Sequence, residues 1–107
     1  MKVVLLAGAE QDLIDLRVHL VKSFGRQAWD SSYRQIKSAI RSLRDFPLAG
    51  TVPDEIADLQ LGEYRQVIAG MNRIIYEICG DILFVHIICD TRRQLRTILA
   101  RRLLHAK

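Results

Sequence analysis

The sequence predicts an α+β domain: a short N-terminal strand, an α-helical hairpin, a three-stranded antiparallel meander and a C-terminal helix. Three observations lead there. Two stretches with helical apolar spacing are joined at a single Gly25. Three Ile- and Val-rich runs follow, separated by Gly70-Met71 and Gly80-Asp81. Helical spacing then returns from Arg92 to Leu104. At 107 residues and 50% hydrophobic composition, the chain has enough apolar material for one core and too little length for a second domain, so residues 1–107 are expected to form one unit.

Lys2 to Ala7 reads as the first strand. Its Ala7-Gly8-Ala9 end imitates a leader cleavage site, but the apolar stretch before it is too short for an export signal, so the cytoplasm is the expected compartment. No run approaches the roughly 18 apolar residues of a membrane span, so no membrane partner is expected. The first helix is expected from Glu10 to Phe24, with Leu13, Leu16, Leu20 and Phe24 on one stripe and Ile14 and Val21 beside it. Glu10 and Asp12 suit its first turn through the helix dipole, and Gly25 ends it. The second helix is expected from Gln27 to Asp45, where Trp29, Tyr33, Ile36, Ile40 and Leu43 form a packing seam. Phe46-Pro47-Leu48-Ala49-Gly50 stops it, and a polar loop runs to about Gly62.

The strands are expected at Tyr64–Ala69, Asn72–Cys79 and Ile82–Cys89. Gly80-Asp81 suits a tight type II′ turn, which sets a register pairing Cys79 with Ile82, Ile75 with His86 and Arg73 with Ile88. One face then holds Ile74, Tyr76, Ile78, Leu83, Val85, Ile87 and Cys89 and packs on the helices. The other holds Arg73, Ile75, Glu77, Cys79, Ile82, Phe84, His86 and Ile88 and is expected to stay open for recognition or chemistry. Arg65 falls opposite Tyr76 if the Gly70-Met71 loop has two residues, and on the open face if the loop has one more. In the last helix Leu95, Ile98, Leu99 and Leu103 form the apolar side. Cys79 and Cys89 lie at opposite ends of the hairpin, more than about 20 Å apart, whereas a disulfide needs Cα atoms within about 7 Å. His86 and Cys89 point to opposite faces, so no metal site is expected, and no motif implies a cofactor.

Charge is unevenly placed. The chain is +4 overall, but residues 64–107 hold eight basic and three acidic side chains, and no acid follows Asp90. Such a segment favours an acidic or polyanionic partner. Arg34, Lys37, Arg41 and Arg44 form a second basic stripe, read as a solvated helix face or a contact for an acidic segment.

This order of elements resembles the RelE/ParE toxin superfamily of type II toxin–antitoxin pairs. The matching residues are Glu10-Gln11-Asp12-Leu13, Phe46-Pro47-x-x-Gly50, Tyr64-Arg65, Asn72-Arg73-Ile74-Ile75-Tyr76, and Ile82-Leu83-Phe84-Val85-His86-Ile87-Ile88 followed by Arg92-Arg93. The helical hairpin with its Phe-Pro-x-x-Gly exit looks closer to the ParE branch. The resemblance implies a growth-inhibiting toxin held inactive by an acidic cognate antitoxin, with operator DNA reached only through that antitoxin. The ParE branch implies DNA gyrase as the target. The RelE branch implies a ribosome-dependent mRNA endonuclease, and a non-toxic binding module is a further alternative. For the nuclease, Arg73, His86 and Arg93 are the candidate catalytic residues: Arg73 binds phosphate and His86, its diagonal neighbour on the open face, exchanges a proton. The structural alternatives pair Arg73 with Glu77 and pack His86 beside Phe84. No Tyr follows the Arg pair as in RelE-like toxins, and His105 is the late candidate. For target or antitoxin binding the candidates are Arg65, Arg92, Arg96, Arg101 and Arg102.

Overall fold

The computed structural model describes residues 1–59 and 64–104. The end of the polar loop at Gly62, the Leu103 side chain, and His105 lie outside the described residues. Strand β1 (Lys2–Leu5) leads into helices α1 (Ala7–Phe24) and α2 (Arg26–Asp45). A 3-10 helix, Asp54–Leu59, precedes strands β2 (Tyr64–Ala69), β3 (Asn72–Cys79) and β4 (Ile82–Asp90), and helix α3 (Leu95–Leu104) closes the chain. The sheet order is β1-β4-β3-β2, with β1 parallel to β4 and the rest antiparallel. Among the described residues, no helix is long and apolar enough to cross a membrane.

The turns fall where the glycines require them. Gly70 and Gly80 sit at φ +63° and +62°, a conformation that costs a side-chain-bearing residue, so each opens a two-residue turn. Gly25 adopts φ +94° between the two helices. The first loop therefore has two residues, and Arg65 does lie opposite Tyr76. The helices begin differently from their expected starts. Helix α1 opens at Ala7, placing Asp12 in its second turn, and α3 opens at Leu95 rather than Arg92.

The expected register holds from the Gly80 turn only as far as Tyr76–Val85. There His86 is left over as a β-bulge, and the pairs beyond it are Ile75–Ile87, Ile74–Ile88 and Arg73–Cys89, not Ile75–His86 and Arg73–Ile88. One extra residue reverses every later side chain. Ile88 joins Ile74, Tyr76, Leu83 and Val85 in the core under the helical hairpin, with Ile36 and Leu43 of α2. Ile87 and Cys89 turn to the opposite face. That face is therefore not open. Ile75, Ile87 and Cys89 pack with Tyr64, with Ile56 of the 3-10 helix, and with Leu95, Ile98 and Leu99 of α3 in a second core.

A bulge leaves ladder groups unpaired, and these are filled from two distant elements. The Ile88 N–H donates to Asp12 Oδ2 at 2.9 Å, and Arg102 Nη1 donates to the His86 carbonyl at 2.8 Å. Arg102 and Asp12 also pair directly at 2.5 Å. A Cβ at Gly8, one turn before Asp12, would stand 2.8 Å from Arg102 Nη1, so glycine there leaves the guanidinium its seat. On the other side of the sheet, Tyr76 reaches up from the hairpin core. Its hydroxyl donates to the Pro47 carbonyl at 2.7 Å and accepts the Gly50 N–H at 2.9 Å, which anchors the Phe46–Gly50 exit.

Removing the Asp12 carboxylate leaves a buried N–H and an unpaired guanidinium. Asp12→Ala is expected to cost about 2–3 kcal/mol, and Asp12→Asn roughly half of that because it keeps an acceptor. Urea denaturation of the three proteins checks this, and equal midpoints would remove the clasp from the account.

Candidate functional site

The candidate site residues of the sheet face and the C-terminal segment fall into three separate structures. Arg73 is 5% exposed. Its Nη2 lies 2.6 Å from Glu55 Oε2 of the 3-10 helix and 2.6 Å from the Arg93 carbonyl, and its Nη1 lies 3.4 Å from Gln66 Oε1. Its carboxylate partner is therefore Glu55, not Glu77. Burial works against the Arg73 charge, but the hydrogen bond and charge of Glu55 outweigh it and raise its pKa. That hydrogen bond holds the Glu55 carboxyl below its ordinary value of 4.5. Burial pushes the Cys89 thiol up, with Arg73 opposing it.

His86 and Glu77 form the second structure. The imidazole Nε2 meets Glu77 Oε1 at 2.9 Å, and Tyr64 lies edge-on to the ring at 5.0 Å between centroids. Tyr64 therefore supplies the packing expected of Phe84. Burial, then the Glu77 charge, raises the pKa of the Tyr64 hydroxyl. Arg73 and His86 are not diagonal neighbours: Arg73 lies four residues along β3 from Glu77, roughly 13 Å away. Arg73 and His86 are thus turned to different partners, Glu55 with the Arg93 carbonyl for one and Glu77 for the other.

The third structure is the set of arginines around α3. Arg92 is exposed and ion-paired with Asp90, whose pKa it lowers first through side-chain hydrogen bonds. Arg96 Nε donates to the Glu55 carbonyl at 2.6 Å. Arg102 is the bulge clasp. Arg65 Nη1 donates to the Gly50 carbonyl at 2.9 Å. Arg93 and Arg101 are exposed, and among the described residues their side chains make no ion pair or hydrogen bond. Most of the C-terminal charge thus binds backbone carbonyls and nearby acids of this chain.

The apolar surface lies elsewhere. On α1, Ile14, Val18, Val21 and Phe24 were expected at or beside the core stripe or, for Val18, not singled out. Val18 is 61% exposed and Phe24 71%, with Ile14 and Val21 also exposed. A cavity of about 310 Å³ opens beside them between α1 and α2, lined by Val18, Val21 and Trp29 and by Arg17, Lys22 and Arg26. This concave apolar floor with a cationic rim is the arrangement that receives an amphipathic helix with acidic edges. The signal was in the sequence: α1 has apolar residues at 13, 14, 16, 18, 20, 21 and 24, which is more than one helix face can bury.

A family model described as ParE toxin of type II toxin-antitoxin system, parDE, matches residues 3–94. No curated protein matches the chain. Among solved structures the fold is similar to a chain described as Chromosomal ParDE TA system from P. aeruginosa. The TM-score is 0.70 at 15% identity, covering 84% of this chain and 95% of that one.

Two outcomes follow from the second core. The Glu55–Arg73 pair stabilises fully above pH 4.5 and is lost as the pH falls through the lowered Glu55 value. Glu55→Gln is therefore expected to unfold less steeply on acidification than the parent; equal slopes below pH 4.5 would mean that the pair contributes nothing. Both thiols are free, Cys79 exposed and Cys89 buried. A thiol reagent is expected to label one cysteine per native chain and both after denaturation, with prompt labelling of both contradicting the burial of Cys89 in the second core.

Proposed function

The chain belongs to the ParE toxin family of type II toxin–antitoxin systems, and on that premise we propose that it is neutralised by a cognate antitoxin seated on α1 and acts on DNA gyrase. The observation that carries the antitoxin site is the exposed row Ile14, Val18, Val21 and Phe24 beside the Arg17, Lys22 and Arg26 rim. An uncovered apolar row of this kind marks an interaction surface. The antitoxin is an acidic protein that buries apolar side chains in this groove and sets carboxylates against the rim.

Gyrase is favoured over mRNA as the target by the family and by how the sheet is used. A nuclease of the RelE type needs a free phosphate-binding arginine near a proton-exchanging group. Here Arg73 is held by Glu55 and the Arg93 carbonyl, and His86 by Glu77. Near the C-terminus, Arg93 and Arg101 have no side-chain partner among the described residues, which suits them to a contact with a macromolecular surface.

Val18→Glu places a charge in the groove without touching the core. It is expected to weaken antitoxin binding roughly thirtyfold or more, the effect of losing one buried anchor, measured by calorimetry against the antitoxin encoded beside the toxin. Unchanged affinity would move the antitoxin site off α1. Expression of the toxin alone is expected to give filamentous cells with a DNA-damage response, and purified gyrase is expected to lose supercoiling activity. A translation block with cut transcripts would instead assign the nuclease reading.

A further inference from the structure

The outer face of α2 carries a charge pattern that none of these roles uses. Arg34, Lys37, Arg41 and Arg44 are all exposed. At 3.6 residues per turn they fall within about 80° of arc, and at 1.5 Å per residue they span about 15 Å of helix axis. None takes part in an ion pair among the described residues. Lys37 lies over the Tyr33 ring at 4.9 Å, and Tyr33 in turn stacks on Trp29 at 5.0 Å, so this part of the helix is held in place. Asp30 and Asp45 bracket the stripe at its two ends.

We propose that this stripe binds the phosphodiester backbone of duplex DNA without reading its sequence. The spacing fits. One strand of a duplex presents a phosphate about every 3.4 Å of axis, so the stripe's length covers about four phosphates, one for each cation. Arginine, which supplies three of the four, binds phosphate oxygens through two parallel N–H donors. The composition also separates DNA from an acidic protein. Protein interfaces are centred on apolar or aromatic anchors. Of the exposed neighbours of these cations, Gln27, Ser31, Gln35, Ser38 and Ser42 are polar, and the one aromatic, Tyr33, is 37% exposed and already taken up by Lys37 and Trp29. Their polarity suits a contact whose affinity is wholly electrostatic. The apolar groove of α1 has the opposite character, and the two surfaces therefore take different partners. This contact departs from the expectation that the toxin meets DNA only through its antitoxin, and it does not depend on gyrase being the target.

The test is fluorescence anisotropy of a labelled 20-base-pair duplex of mixed sequence, titrated with the full chain at 50, 100 and 200 mM salt. Four neutralised phosphates give a slope of about −3.6 in log K against log salt, hence roughly a hundredfold loss between 50 and 200 mM. The variant R34Q/K37Q/R41Q/R44Q, checked for folding by circular dichroism, is expected to bind at least tenfold more weakly at 50 mM with a slope near zero. Should it fail to fold, R41Q alone is expected to lower the slope by about 1. R93Q/R101Q, which removes the exposed charges near α3, is expected to bind as the parent does. The proposal is overturned if the parent shows no binding at 50 mM, if the folded stripe variants keep the parental slope, or if only R93Q/R101Q loses affinity. A stripe variant that keeps DNA binding but loses the antitoxin would reassign the face to an acidic protein, which equally overturns it.

Discussion

The structure depends on one inserted residue. His86 has no cross-strand partner, and its insertion turns the last third of β4 over. Without it, Ile87 and Cys89 would join the hairpin core and Ile88 would face the other way. With it, three consecutive residues, Ile87, Ile88 and Cys89, are all buried, which is possible only if both faces of the sheet are covered. Helices α1 and α2 cover one, and α3 with the 3-10 helix covers the other. The backbone groups that the bulge frees are satisfied by Asp12 from α1 and Arg102 from α3. A local defect in one ladder therefore ties the first helix to the last, because a buried N–H or C=O left alone costs as much as a lost hydrogen bond.

Much of this order was legible in the sequence, and the bulge was not. Glycines at 25, 70 and 80 placed the hairpin turns because each needs φ above zero. The apolar seam of α2 placed Ile36 and Leu43. Strand β4 gave no such signal, since Ile87-Ile88 and Ile74-Ile75 are apolar in either register and alternation cannot report a slip among identical residues. The charged residues misled for a related reason. Arg73 sits in a strand that reads as half exposed, and its counter-charge, Glu55, lies in a segment with no periodic pattern. Asp12 and Gly8 share a helix face, a small residue one turn before an acid, but nothing local announces a partner 90 residues away.

The charge imbalance of the chain also changes meaning in three dimensions. By sequence the surplus sits after Asp90. In the fold, Arg92 answers Asp90, Arg96 takes the Glu55 carbonyl, and Arg102 takes the His86 carbonyl and Asp12. Those cations do the work of capping and clasping α3. Among the described residues, a row of four exposed cations without carboxylate partners lies on α2, in the half of the chain whose net charge is close to zero. Net charge by segment measures composition, while a partner meets only what the fold has not already paired.

The sheet's second face is therefore covered and its charged residues are paired, although those residues invite reading it as a recognition surface. A buried, paired arginine such as Arg73 has exchanged solvent for Glu55, and offering it to a ligand would leave the carboxylate unpaired and the second core open. The surfaces proposed for recognition are instead the outer faces of the helical hairpin, which no other described element covers. There the two helices divide the task by chemistry. Helix α1 presents a row of side chains that water disfavours, which suits that face to a partner able to bury it. Helix α2 presents cations that water solvates well, so that face is stable when bare and binds only where fixed anions replace the mobile ones. The first surface suits a long-lived complex with an antitoxin, and the second suits contacts that form and release with ionic strength.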